Sequence, residues 1–139
     1  MKVLVTGGRD YERKVRVFEV LDELHRLRSI TKIVHGDATG ADRLAKQWAR
    51  SRGVPEQGYT AEWAKYKTPG QKNPAGHIRN RHMYKTEAPD LVIAFPGGNG
   101  TFGMCAIARA GRTELMLIDG GPTRRSAPTS PTEERGSSR

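Results

Sequence analysis

Disulfide, zinc and membrane chemistry have little to work with in this chain. Its single cysteine, Cys105, cannot close an internal disulfide, and no His/Cys pair has the close spacing of a structural zinc site. No run of about 18 apolar residues occurs, and the chain enters the strand-like Lys2 to Val5 without a charged leader and a hydrophobic stretch behind it. The expectation is a soluble, cytoplasmic protein with no metal and no membrane partner. Aromatic residues are scarce at 6%, thin for a surface that stacks successive bases. No GxxxxGK[ST] is present, which disfavours a P-loop NTPase. What the chain does have is positive charge: a formal +9 and a pI near 10.1 favour an anionic partner, either a phosphate-bearing small molecule or, second in order, a nucleic acid.

At 139 residues and 35% apolar content there is material for one core and one domain. Residues 120–139, rich in Pro, Ser, Thr, Gly and charge, cannot offset their ordering entropy and are expected to form a disordered tail, leaving 1–119 as the domain. Within the domain, Lys2 to Val5, Lys32 to His35, Leu91 to Phe95 and Leu115 to Ile118 have the length and β-branched content of buried strands. Val54 to Thr60 reads as a fifth strand, placed at an edge by Pro55 and Gly58.

Helical stripes fall between the strands. Val17, Leu21, Leu24 and Arg28 with Val20 and Leu27 form one; Ala41, Leu44, Ala45 and Trp48 another. A short helix from about His77 to Lys85 follows a Pro/Gly/Lys-rich loop. A last helix after Thr101 is expected to turn Phe102, Cys105, Ala106 and Ala110 inward. Strand and helix in alternation predict a Rossmann-like three-layer α/β sandwich with a mostly parallel sheet of four or five strands. Ligands of such sheets sit at the carboxyl ends of the strands.

Three of those ends carry glycine turns. Pro96-Gly97-Gly98-Asn99-Gly100-Thr101 stands where a strand gives way to a helix, so glycine backbone and helix N–H groups offer a phosphate cradle. As a plain turn it would use Thr101 as a helix cap. The same segment reads Gly98-x-Gly100-x-x-Gly103 with Asp119 about 20 residues on, a dinucleotide fingerprint in an unusual, late position. Thr6-Gly7-Gly8-Arg9 places an arginine beside a second turn. In the third, Gly36-Asp37-Ala38-Thr39-Gly40-Ala41-Asp42, the spacing of Thr39 and Asp42 predicts a capping box, while Gly36, Asp37, Gly40 and Asp42 remain ligand candidates.

Arg79, Asn80 and Arg81 add two cations and an amide. The arginines are about 200° apart on a helix, so one of them is expected to reach the site. His35, His77 and His82 are candidate acid/base groups whose spacing shows no carboxylate partner. Trp63 and Tyr66 could stack on a base, with ordinary packing as the default; Trp48 and Cys105 belong to the core.

Val5 to Arg9, Gly36 to Ala45, Trp48-Ala49, Trp63, Arg79-Asn80 with Met83, and Leu91 to Thr101, in that order, resemble the SLOG superfamily over roughly residues 1–119, and within it the YspA-type branch, domain of unknown function 2493. The resemblance implies a Rossmann-like domain, commonly dimeric, that binds nucleotides or nucleotide derivatives in sensing or signalling and needs no other cofactor. It also implies two alternatives. LOG-type phosphoribohydrolases share a PGGxGTxxE segment and split base from ribose monophosphate, but Met104 stands in place of the glutamate. An enzyme of that kind here would have to use Asp37, Asp42 and an arginine such as Arg81. DNA-processing protein A, the other relative, binds single-stranded DNA. Lys65, Lys67, Lys72, Arg79, Arg81 and Lys85 could track its backbone.

Overall fold

The computed structural model describes residues 1–123. Nine elements alternate: β1 (Lys2–Thr6), α1 (Lys14–Arg28), β2 (Lys32–His35), α2 (Ala41–Arg52), β3 (Glu56–Gly58), α3 (Ala75–Glu87), β4 (Leu91–Ala94), α4 (Asn99–Ala110) and β5 (Glu114–Leu117). All pairings in the sheet are parallel, in the order β3-β2-β1-β4-β5. This is the expected Rossmann-like architecture, with all five strands parallel.

Strand periodicity sorts the core into two layers. Val3 and Val5 of β1, with Ile33, Leu91 and Ile93, meet α1 and α2 through Val17, Leu21, Ala45 and Trp48. Leu4, Val34 and Val92 point the other way, onto Met83 of α3 and Met104 and Ala108 of α4. Trp48 is fully buried, and its indole N–H donates to Asp22 at 2.8 Å.

Several expectations need correction. Leu27 is 62% exposed and lies outside the α1 stripe. The buried face of α4 is Thr101, Met104, Cys105 and Ala108, while Ala106 and Ala110 are exposed. That helix begins at Asn99, two residues before Thr101, and its inner stripe follows the bulky Met104. β5 is an edge strand with Leu117 42% exposed, so the segment near 115–118 is not a buried strand. Of the stretch expected as a tail, residues 120–123 are described and attached to the fold: Gly121 N–H bonds the Ile118 carbonyl at 2.9 Å and Thr123 N–H the Gly97 carbonyl at 2.8 Å. Residues 124–139 lie outside the described residues. No described helix is long and apolar enough to cross a membrane.

One carboxylate ties the far side of the sheet together. Glu87, at the end of α3 and 7% exposed, receives the Tyr59 hydroxyl at 2.5 Å and the Lys32 ammonium at 2.9 Å, with Lys2 at 3.2 Å. Burial alone would raise its pKa, but these three donors overcome it and hold the group down at about 2. Because the folded pKa is depressed, the stabilisation is complete above the ordinary value of 4.5 and is lost as the pH falls toward 2. Glu87→Gln is therefore expected to cost about 3 kcal/mol at pH 7 in urea unfolding. The gap from wild type should close as the pH drops through that window; a constant gap would contradict the assignment.

Candidate functional site

Chain connectivity reverses direction between β1 and β4, since β2 and β3 extend the sheet one way and β4 and β5 the other. The crevice beyond the carboxyl ends at that switch point is where this sheet class holds ligands. Here the loops after β1, β2 and β4 meet. The Gly8 amide donates to the Pro96 carbonyl at 2.8 Å, the Phe95 amide to the Thr6 carbonyl at 2.9 Å, and the Ala41 amide to the Gly8 carbonyl at 3.1 Å.

The glycines divide into two groups by what surrounds them. A Cβ on Gly97 would lie 2.7 Å from the Gly8 nitrogen and overlap the Thr101 hydroxyl; one on Gly7 would lie 2.5 Å from the Ala41 Cβ. Gly40, at φ +75°, has the Gly8 carbonyl in the place of its missing side chain. These three serve loop-on-loop packing. Gly98 and Gly100 have open space where a side chain would stand. Gly98 is the N-cap of α4 and makes no side-chain capping bond, while Thr101 is buried inside the helix and does not cap it. The positive end of α4 is thus presented beside two glycines that admit an anion.

The capping box expected in the second turn does not form. The Thr39 hydroxyl donates instead to the Arg9 carbonyl at 3.0 Å, and Gly40 is the N-cap of α2. The Asp42 carboxylate turns inward, taking the Gly36 amide at 2.9 Å and the Ala38 amide at 3.4 Å, so it shapes the loop from beneath. Burial raises its pKa to about 6 against the pull of His35, Arg79 and those two amides. Asp37 takes a left-handed backbone, φ 54°, and its exposed carboxylate accepts the Thr60 hydroxyl at 3.2 Å.

His35 does have a carboxylate partner, one that spacing did not reveal. Its Nδ1 accepts the Asp37 amide at 3.0 Å, which leaves the proton on Nε2 to be donated to Glu56 at 2.7 Å. With 1% exposure it is a structural pair across β2 and β3. His77 and His82 are exposed on α3.

Of the two arginines on α3, Arg79 is half-buried and lines the smaller cavity, while Arg81 is exposed and is not among its lining residues. Arg79 donates from Nη1 to the Gly36 carbonyl at 2.6 Å and from Nε to Asn80 at 2.8 Å. Burial lowers its pKa, opposed by the nearby charge of Asp42. Its hydrogen-bond partners are carbonyl and amide oxygens, with no carboxylate among the described residues. Asn80, 5% exposed, passes the connection on to the Gly100 carbonyl at 3.3 Å, so one relay joins Arg79 to the first turn of α4.

Two cavities flank the β1 turn. A space of about 220 Å³ is lined by Arg9, Gly36, Asp37, Thr60, Trp63 and Arg79. A larger one of about 550 Å³ is lined by Asp10, Tyr11, Arg13, Pro96, Gly97 and Gly98. Asn99 and Gly100 are exposed at the start of α4. Asp119, the would-be ribose partner of a dinucleotide fingerprint, is engaged by Arg16 at 3.0 Å, and Gly100 and Gly103 lie within the helix. Met104 is fully buried in the core. Trp63, expected to pack, is 40% exposed under the Arg9 guanidinium. The signal for it was available: a tryptophan in a polar segment without periodicity has no apolar face to join.

Two outcomes test this geometry. Gly97→Ala should destabilise by about 3 kcal/mol through overpacking, whereas Gly98→Ala, whose side chain meets open space, should cost about 1 kcal/mol or less through the poorer N-cap, both read by urea unfolding. For Asp42 the folded pKa is raised, so its contribution to stability declines as pH rises from 3.8 to about 6. Asp42→Asn should flatten the melting temperature over that range and leave the protein at least as stable at pH 8. A variant markedly less stable at pH 8 would show that the charge is needed.

The model of the YspA, cpYpsA-related SLOG family matches residues 1–66, which contain the β1 and β2 turns and Trp63. The chain is also similar to the Gene 61 protein of Mycobacterium phage D29, 34% identical over 126 residues that cover 86% of this chain and 96% of the phage protein. With that family's turns at the switch point of a Rossmann-like sheet, the chain belongs to the YspA, cpYpsA-related SLOG family.

Proposed function

We propose that this chain binds a nucleotide or nucleotide-derived ligand at the carboxyl edge of the sheet and serves as a sensing or signalling module. The observation that carries the reading is the Arg79 guanidinium, a half-buried cation bonded to carbonyl oxygens that lines the smaller cavity and is joined through Asn80 to the glycine-fronted first turn of α4. Asp42 and Asp37 act on this cation only through space, with no direct hydrogen bond, so its partly desolvated charge is still free to pair with an anion. The phosphate sits on the α4 turn at Gly98, Asn99 and Gly100, with Arg79 and Arg9 facing the rest of the ligand. Asp37, the one carboxylate lining the smaller cavity, accepts from sugar or base donors.

Binding is favoured over hydrolysis of the N-glycosidic bond by Met104. A carboxylate at that position would be buried among Leu4, Val34 and Val92 and would face desolvation instead of a sugar.

A thermal-shift panel of mono-, di- and cyclic nucleotides tests the proposal. A ligand at a hundred times its Kd adds about 2.7 kcal/mol, on the order of a 10 °C rise for a domain of this size. Gly98→Leu should lower the melting temperature of the free protein by only a few degrees, because its side chain enters open space and only the N-cap preference is lost, and should lose the ligand-induced shift. No shift with any nucleotide would sink the proposal. Chromatography of the incubated nucleotides for free base separates the hydrolase: base release abolished by Asp37→Asn would replace binding with catalysis.

A further inference from the structure

We propose that the Trp63 indole is the platform on which a purine base stacks, with Arg9 as the group the base displaces and then meets on its outer face. This rests on the nucleotide reading above and assigns the base to the smaller cavity. Three observations support it.

The indole is 40% exposed, yet its backbone is anchored and one ring edge is packed. Its backbone carbonyl takes the Asn73 side-chain amide at 2.7 Å, and the Cη2 edge lies where a Cβ on Gly76 would stand, 3.0 Å away. The missing side chain at Gly76, in the first turn of α3, thus makes room for the edge of the ring. An aromatic packed along one edge has less conformational entropy left to lose when a ligand covers its face.

The cover now on it is weak and movable. The Arg9 guanidinium lies 4.8 Å from the ring centroid. Its backbone carbonyl is held by the Thr39 hydroxyl, while the exposed side chain has no carboxylate partner among the described residues. An exposed cation–π contact is weaker than base-on-aromatic stacking. A base can therefore take its place, and the guanidinium plane can stack again on the far side of that base.

The edge of the cavity carries a selector. The Asp37 carboxylate, steadied by Thr60, accepts hydrogen bonds and donates none. It suits a base edge that presents adjacent N–H donors, as guanine does with its ring N–H and amino group. At about 220 Å³ the cavity holds one ring system and not a whole nucleotide, which agrees with the phosphate lying outside it at Gly98.

The chain has two tryptophans, and Trp48 is fully buried, so a ligand-dependent change in emission reports on Trp63. The test is fluorescence titration and calorimetry of the full chain with GMP, AMP, CMP, UMP and ribose 5-phosphate. GMP is expected to quench saturably and bind at least tenfold tighter than CMP or UMP, with AMP between them; ribose 5-phosphate should bind weakly without quenching. Trp63→Ala should lose at least tenfold in GMP affinity and keep that for ribose 5-phosphate, whereas Trp63→Phe should stay within about threefold for GMP. If Trp63→Ala does not fold, the quench and Trp63→Phe decide. Nucleotide binding with no quench and no purine preference would overturn the platform while leaving nucleotide binding standing. Absence of any binding would remove both.

Discussion

The close approach of three loops at the switch point is the constraint on which the site depends. Gly8 and Pro96 meet backbone to backbone at 2.8 Å, in a junction where side chains directed between the loops would not fit. Gly7, Gly40 and Gly97 carry none, and a Cβ on each would strike a neighbouring loop or helix. The packing fixes where β1 ends, where α2 begins and how α4 presents its first turn. Gly98 and Gly100 are then left facing outward, on a framework their neighbours have made rigid.

Electrostatics is organised around the same loops. Asp42 and Arg79 are near enough to bias each other's protonation, yet each is satisfied by backbone: the acid by the Gly36 and Ala38 amides, the cation by the Gly36 and Tyr59 carbonyls. Neither neutralises the other through a direct bond. Arg79 and Arg9 both line the cavity, where Asp37 is the carboxylate among the lining residues and Asp42 acts on Arg79 from beneath the loop. Glu87 shows the contrasting case on the other side of the sheet, where two lysines and a tyrosine compensate one carboxylate and create structure without a site.

The strands were legible because a parallel sheet covered on both faces needs short apolar runs, and Lys32–His35 and Leu91–Ala94 stand in the sequence as such runs. The face of α4 was misread because the stripe was counted from Thr101. The helix starts earlier, which turns Thr101 and Met104 inward and Ala106 outward. The apparent capping box failed for a related reason: Gly40 turns the chain so that Thr39 meets Arg9, and Asp42 is drawn beneath the loop. Local spacing carries no information about a partner 30 residues away.

The sequence by itself determined the alternating architecture and the placing of glycine turns at strand ends, because these follow from periodicity and residue type along short stretches, while the family came from the resemblance of its motifs in their order. Which glycines pack and which stay open, which arginine of α3 reaches inward, and that His35 is committed to Glu56 were decided by tertiary structure alone. Each depends on residues distant in the chain competing for the same space and the same hydrogen bonds. The turn at Pro96 to Thr101 illustrates the division: its composition announced a backbone site, and the fold divided it into a packed Gly97 and an open Gly98.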